Sequence, residues 1–198
     1  MENDSPKGRH CCPWWLGFAI DNPLRRLIHD PEKLLSPYVR EGMRVLDVGC
    51  GMGLFSLGMA KLVGPSGSVL AVDVQQKMLD ALARRSRDAG LAERIQTKLC
   101  ASNRLDVKGP FDFALCFWML HEAPNARAFM EEIYEQLTGK GRWLVVEPKK
   151  HVSPGAFESM RRVAERVGFA EVGFPSVNMS QAVLLEKPDD QMDELVLE

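Results

Sequence analysis

Residues 45–53 read Val-Leu-Asp-Val-Gly-Cys-Gly-Met-Gly, an apolar run that breaks into alternating glycines. Glycine lets the backbone come close to a ligand where a β-carbon would collide, and it tolerates positive φ. A helix opening directly after such a turn adds amide donors and partial positive charge, which suits an anionic group. The spacing separates cofactor classes. A dinucleotide loop runs Gly-x-Gly-x-x-Gly, and here its third glycine falls on Leu54. The order present is Asp-x-Gly-x-Gly-x-Gly, carried by Asp47, Gly49, Gly51 and Gly53. An acid at Asp47 repels a pyrophosphate but accepts hydrogen bonds from an ammonium.

A second acid, Asp73, closes the next apolar run, 20 residues after Gly53. A carboxylate at that place accepts from two ribose hydroxyls, as in nucleoside-cofactor sites generally. An ammonium acceptor, an amide-lined loop and a ribose clamp together describe an amino-acid nucleoside, S-adenosylmethionine. The competing reading is a tight strand-to-helix turn that needs glycine for geometry alone.

The elements that must position these residues alternate along the chain. Apolar runs at 43–48, 68–74, 94–100, 111–118 and 142–148 suit buried parallel strands. Helical patterns fall over 31–39, 54–63, 75–89, 125–137 and 154–167. Asn125 and Ser153 are N-cap residues, and Gly64, Gly90, Gly139 and Gly168 stand past helix ends. Runs at 170–174 and 181–187 read as a closing antiparallel pair. Strands alternating with helices imply an α/β, doubly wound sheet.

The set resembles the class I S-adenosylmethionine-dependent methyltransferases, small-molecule branch, which includes the ubiquinone/menaquinone methyltransferases. The resemblance runs from about Leu34 to Pro188 and rests on VLDVGCGMG, on AVD with Asp73, on FDFALCFWMLHE (111–122) and on LVVEPK (144–149). It implies a Rossmann-like seven-stranded sheet of order 3-2-1-4-5-7-6 with strand 7 antiparallel, and S-adenosylmethionine as cofactor with S-adenosylhomocysteine as product. It implies cofactor contacts at Asp47, Gly49, Cys50, Gly51, Met52, Gly53, Asp73, Val74, Met78, Ala101, Ser102 and Phe117, with Gln75 at the edge. Phe117 is expected to offer its carbonyl to the methionine ammonium. Relatives place an Asp after strand 3 to meet the adenine amino group. Here Cys100-Ala101 stands there, so either Asn103 or a backbone group reads the base.

An acceptor would lie beyond the carboxyl ends of the strands. Candidate pocket residues are Trp14, Trp15, Phe18, Trp118, His121 and Glu147. His121 is the candidate base, since imidazole titrates near neutrality, or it caps local backbone. The Trp pair forms either a lid or a plain cover over the core. Lys149-Lys150 would attract an anionic acceptor or form a solvated loop. Vicinal Cys11-Cys12 suits a thiol or metalloid acceptor or is incidental. No Cys-x-x-Cys pair occurs, and no metal is expected.

Composition bounds the rest. The 198 residues carry a formal net charge of −2 and five cysteines, and no apolar run approaches the about 18–20 residues that span a bilayer. The expectation is one cytoplasmic domain over 1–198, with an N-terminal lid region over 1–40, a cofactor sheet over 43–187 and an acidic tail over 188–198. Its expected partner is a small, apolar or aromatic methyl acceptor, with no nucleic acid, as a monomer or homodimer. A non-catalytic cofactor-binding module is the alternative outside the enzymes.

Overall fold

The computed structural model describes residues 28–189. The expectations at Cys11, Cys12, Trp14, Trp15, Phe18 and most of the acidic tail therefore lie outside the described residues. Asp30 caps the helix α1 (Pro31–Leu35) by accepting from the Glu32 and Lys33 amides. Then follow β1 (Arg44–Val48), α2 (Leu54–Leu62), β2 (Ser68–Asp73), α3 (Gln76–Asp88), β3 (Ile95–Leu99) and β4 (Phe111–Phe117). The chain continues with α4 (Ala126–Gln136), β5 (Leu137–Pro148), α5 (Pro154–Val167), β6 (Ala170–Gly173) and β7 (Ser180–Glu186).

The strands form one sheet of order β3-β2-β1-β4-β5-β7-β6. β1 is parallel to β2 and β4, β3 to β2, and β5 to β4, whereas β7 runs antiparallel to β5 and β6. Period-2 alternation sends successive β1 residues to opposite faces. Val45 joins a core with Leu35, Leu57 and Leu82 from α1, α2 and α3. Leu46 and Val48 join Phe129, Ile133 and Phe157 from α4 and α5. Both faces are therefore covered by helices, which is why the strands read as near-continuous apolar runs.

Asn125 and Ser153 accept from the amides of Ala128 and Ala156, as N-caps should. Two boundaries differ from the sequence reading by more than one residue. α1 stops at Leu35 rather than 39: past Ser36 the Tyr38 amide bonds to the Leu35 carbonyl at 2.9 Å in a tighter three-residue turn, and the chain turns before β1. β5 starts at Leu137 rather than 142, so Gly139, three residues past the end of α4, already lies inside the strand. Leu137 is already extended and pairs with Phe111, and the Lys140 amide bonds to the Lys187 carbonyl at 2.8 Å. These partners on β4 and after β7 override the local glycines. Among the described residues no helix is long and apolar enough to cross a membrane.

Candidate functional site

The parallel strands β1, β2, β4 and β5 deliver Gly49, Val74, Trp118 and Glu147 to one edge of the sheet. The glycine loop leaves β1 there. Gly49, Gly51 and Gly53 have φ of 69°, 53° and 85°, a left-handed region that costs other residues about 1–2 kcal/mol. The three glycines face different surroundings. A Cβ at Gly53 would lie 2.2 Å from Leu82 Cδ1, and one at Gly49 would lie 2.8 Å from Met119 Cγ. One at Gly51 would meet nothing within 4 Å. Gly49 and Gly53 thus let the loop pack on β4's following segment and on α3. Gly51 alone borders open space, the place where a ligand can approach the backbone.

The separation predicts two distinct phenotypes. Gly53→Ala is expected to cost about 2–4 kcal/mol of unfolding free energy, combining the left-handed penalty with overpacking. Gly51→Ala is expected to cost about 1 kcal/mol and to remain folded, while weakening ligand binding roughly ten-fold or more by filling the open space. Urea titration and calorimetry on both variants check this.

Asp73 ties the loop to β2. Its Oδ2 accepts from the Gly51 amide at 2.9 Å and its Oδ1 from the Gln75 amide at 2.9 Å. Burial pushes its carboxyl up, opposed by these amides and that of Val74. Val74, next in line, is exposed. Asp47 is buried, and Ser56 Oγ, one turn into α2, donates to its Oδ2 at 2.5 Å. Burial pushes the Asp47 carboxyl up to about 7, the Ser56 hydroxyl opposes this, and the Asp73 charge adds to it. Met52 packs with Met78 and Ala81, and Arg85 Nη1 donates to the Met52 carbonyl at 2.8 Å. The loop, α2 and α3 are in this way one rigid unit.

Beyond β3, Ala101, Ser102 and Asn103 are exposed, and Ala101 pairs with Arg104 in a single bridge. Cys100 is half-buried and its amide bonds to the Asp73 carbonyl at 3.1 Å. Burial pushes the Cys100 thiol up to about 11 and those of Cys50 and Cys116 well above the ordinary range. Among the described residues no group of three or more His, Cys, Asp and Glu side chains is placed to hold a metal.

The segment after β4 forms the other wall. Phe117 is buried and stacks on Phe55 with ring centroids 4.2 Å apart. Trp118 has φ of +62°, an uncommon state for a bulky residue. It is held there by its amide to the Val146 carbonyl at 2.8 Å and by Nε1–H donated to Ser180 Oγ at 2.9 Å. His121 sits on a 3₁₀ turn, Leu120–Glu122, with Nδ1 hydrogen-bonded to Glu147. Glu147 is fully buried and its other oxygen accepts from the Leu120 amide at 2.9 Å. Glu147 is therefore enclosed, with one oxygen on the Leu120 amide and the other on His121. Lys149, Lys150 and His151 are exposed.

Sequence reasoning missed Ser56 and the His29 cluster. Ser56 is a lone buried hydroxyl in the apolar helix α2, a signal in principle legible beside Asp47. His29 is buried edge-on to the rings of Phe117 and Trp118, at 5.1 and 5.2 Å, and donates from Nε2 to the Asn178 carbonyl at 2.9 Å. Its hydrogen-bond partner Asn178 lies 149 residues away and its ring partners are equally non-local, so nothing nearby in sequence announces them. The segment at 28–30 is thereby placed over the end of β4.

Comparison with known proteins agrees with this geometry. A demethylmenaquinone methyltransferase of Lactobacillus johnsonii is 33% identical over 117 residues, covering 59% of this chain and 48% of that protein. A ubiquinone biosynthesis O-methyltransferase of Xanthomonas euvesicatoria is 29% identical over 132 residues, covering 65% of this chain and 53% of that protein. The chain spans about half the length of the curated relatives it matches. In fold it is similar to the crystal structure of a SAM-dependent methyltransferase from Aquifex aeolicus, with a TM-score of 0.79 and 24% identity over 89% of this chain and 99% of that one. The profile of the methyltransferase domain matches residues 39–170, from the turn before β1 into β6. With its glycine loop, its acid-tipped second strand and the parallel strands β1 to β5 all inside that match, the chain belongs to the methyltransferase domain family.

Proposed function

We propose that the chain binds S-adenosylmethionine and directs its methyl group to a small, apolar or aromatic acceptor by in-line displacement. The observation that carries this is Gly51, whose amide is fixed by Asp73 and whose missing side chain leaves open space over the loop. The residues fit the cofactor. Asp73 stands where a ribose diol is clamped, Asp47 lies under the loop as the acid for an ammonium, and the exposed Val74 offers an apolar seat beside Asp73.

The sulfonium supplies an already electrophilic methyl group. The chain therefore has to align the acceptor and exclude water. Trp118, held at positive φ by Val146 and Ser180, and His121, held by Glu147, stand at the mouth next to β1. The relatives named for demethylmenaquinone and for ubiquinone biosynthesis support a quinol-like aromatic acceptor. Trp14, Trp15 and Phe18 belong to this reading as lid residues, supported by the course of the chain at His29 over Phe117 and Trp118.

Thermal unfolding in the presence of candidate ligands tests the cofactor. S-adenosylmethionine and S-adenosylhomocysteine at a hundred times Kd are expected to stabilise by about 2.7 kcal/mol, and NADH not at all. Stabilisation by NADH alone would overturn the reading.

A further inference from the structure

We propose that Glu147 is a positioning residue that locks His121 as the Nδ1–H tautomer, so that Nε2 takes the proton of a hydroxyl-bearing acceptor. The inference rests on the methyl-transfer reading above and names its substrate class.

Glu147 ends β5 and is 0% exposed. A carboxylate so deeply placed needs donors on both oxygens, because an uncompensated buried charge is costly. The Leu120 amide supplies one at 2.9 Å and His121 Nδ1 the other. A carboxylate only accepts, so Nδ1 carries the proton, and in the neutral imidazole the basic lone pair is then on Nε2. The His121 side chain is 22% exposed, so the imidazole bridges from a buried anchor to the open end of the site. The His151 ring flanks it, with centroids 5.8 Å apart.

The dyad and the glycine loop share one sheet edge. Phe117 pairs with Val146, which sets Trp118 beside Glu147. Met119, two residues before His121, is the side chain that a Cβ at Gly49 would strike at 2.8 Å. The segment that carries the base thus packs on the cofactor loop through Met119.

An oriented base matters most for a hydroxyl. An amine attacks with its own lone pair, and a thiol ionises readily near neutrality. A hydroxyl must lose its proton as it attacks. That proton moves to His121 Nε2, and the oxygen keeps the electron pair of the broken O–H bond. With this pair the oxygen bonds to the methyl carbon, and the carbon–sulfur pair leaves on sulfur as S-adenosylhomocysteine. The imidazolium keeps its Nδ1–H on Glu147 and returns the Nε2 proton to water.

Long-range ¹H–¹⁵N spectra of histidine-labelled protein read the tautomer directly. The wild type is expected to show a protonated, exchange-protected Nδ1 and a pyridine-like Nε2 at His121, and E147Q a mixture of tautomers. A protonated Nε2 in neutral wild-type imidazole, or an E147Q spectrum identical to wild type, overturns the proposal. The wild-type spectrum decides even where E147Q fails to fold. A phenol, a catechol and a naphthohydroquinone serve as acceptor probes. E147Q and H121N are expected to lose about 100-fold in kcat with KM within about two-fold. Transfer confined to amine or thiol probes, or full kcat in E147Q, overturns it. Calorimetry with S-adenosylhomocysteine separates the two levels. Failure to bind it removes the methyl-transfer reading, whereas normal binding with the wrong tautomer removes only the dyad.

Discussion

Asp73→Ala is expected to weaken S-adenosylhomocysteine binding roughly 100- to 1000-fold. The carboxylate would hold two ribose hydroxyls, and hydrogen bonds to a charged partner are worth about 1.5–3 kcal/mol each. Every 1.4 kcal/mol or so is ten-fold in affinity. The loss has a second source, because the same oxygens hold the Gly51 and Gln75 amides at 2.9 Å. Without them the loop gives up its fixed shape before any ligand arrives. Asp73→Asn keeps the volume and one acceptor oxygen, and is expected to fall between wild type and alanine. Isothermal calorimetry measures both. Unchanged affinity in Asp73→Ala would remove the ribose-clamp reading.

Asp47→Asn is expected to stabilise the fold at pH 8 and leave it nearly unchanged at pH 4, while weakening cofactor binding. Burial pushes the Asp47 carboxyl from 3.8 up to about 7, against the hydroxyl of Ser56 and with the help of the Asp73 charge. The folded state then holds a proton that the unfolded chain has already released. Stability contributed by this group is full below the unfolded value near 3.8, falls as pH rises, and is lost above about 7. At about 1.4 kcal/mol per pH unit the span amounts to a loss on the order of 4 kcal/mol at most. Asparagine cannot ionise and still accepts from Ser56. Asp73, also raised by burial, keeps a pH dependence of the same sign in the variant. Urea unfolding at the two pH values checks the stability arm, and S-adenosylmethionine affinity checks the other. Equal stability of wild type and variant at pH 8 would refute the ionisation cost. A gain in stability matched by a loss in binding is the mark of a residue kept for function.

The strands, most helices and both acids of the site were legible in the sequence because each is a local pattern. VLDVGCGMG announces a buried strand, a glycine turn and a helix start within nine residues, and Asp73 repeats the theme one unit on. Even the caps at Asn125 and Ser153 depend on amides three residues away. The boundaries that went astray, at Leu35 and Leu137, depend on partners elsewhere. Leu137 is strand because Phe111 is beside it, whatever Gly139 prefers locally.

The side-chain chemistry divides the same way. Sequence alone determined the fold class, the glycine loop, the two acids and the presence of His121 and Glu147, because residue type and short-range spacing carry that information. Only the tertiary structure decided what each touches. It gave Gly51 open space and packed Gly49 against Met119 and Gly53 against Leu82. It buried Asp47 beside Ser56, set His29 over Trp118, and joined His121 to a glutamate 26 residues away. The physical reason is the parallel sheet itself. Its crossovers bring the carboxyl ends of β1, β2, β4 and β5 to one edge, so residues distant along the chain share burial and hydrogen bonds that no local pattern encodes.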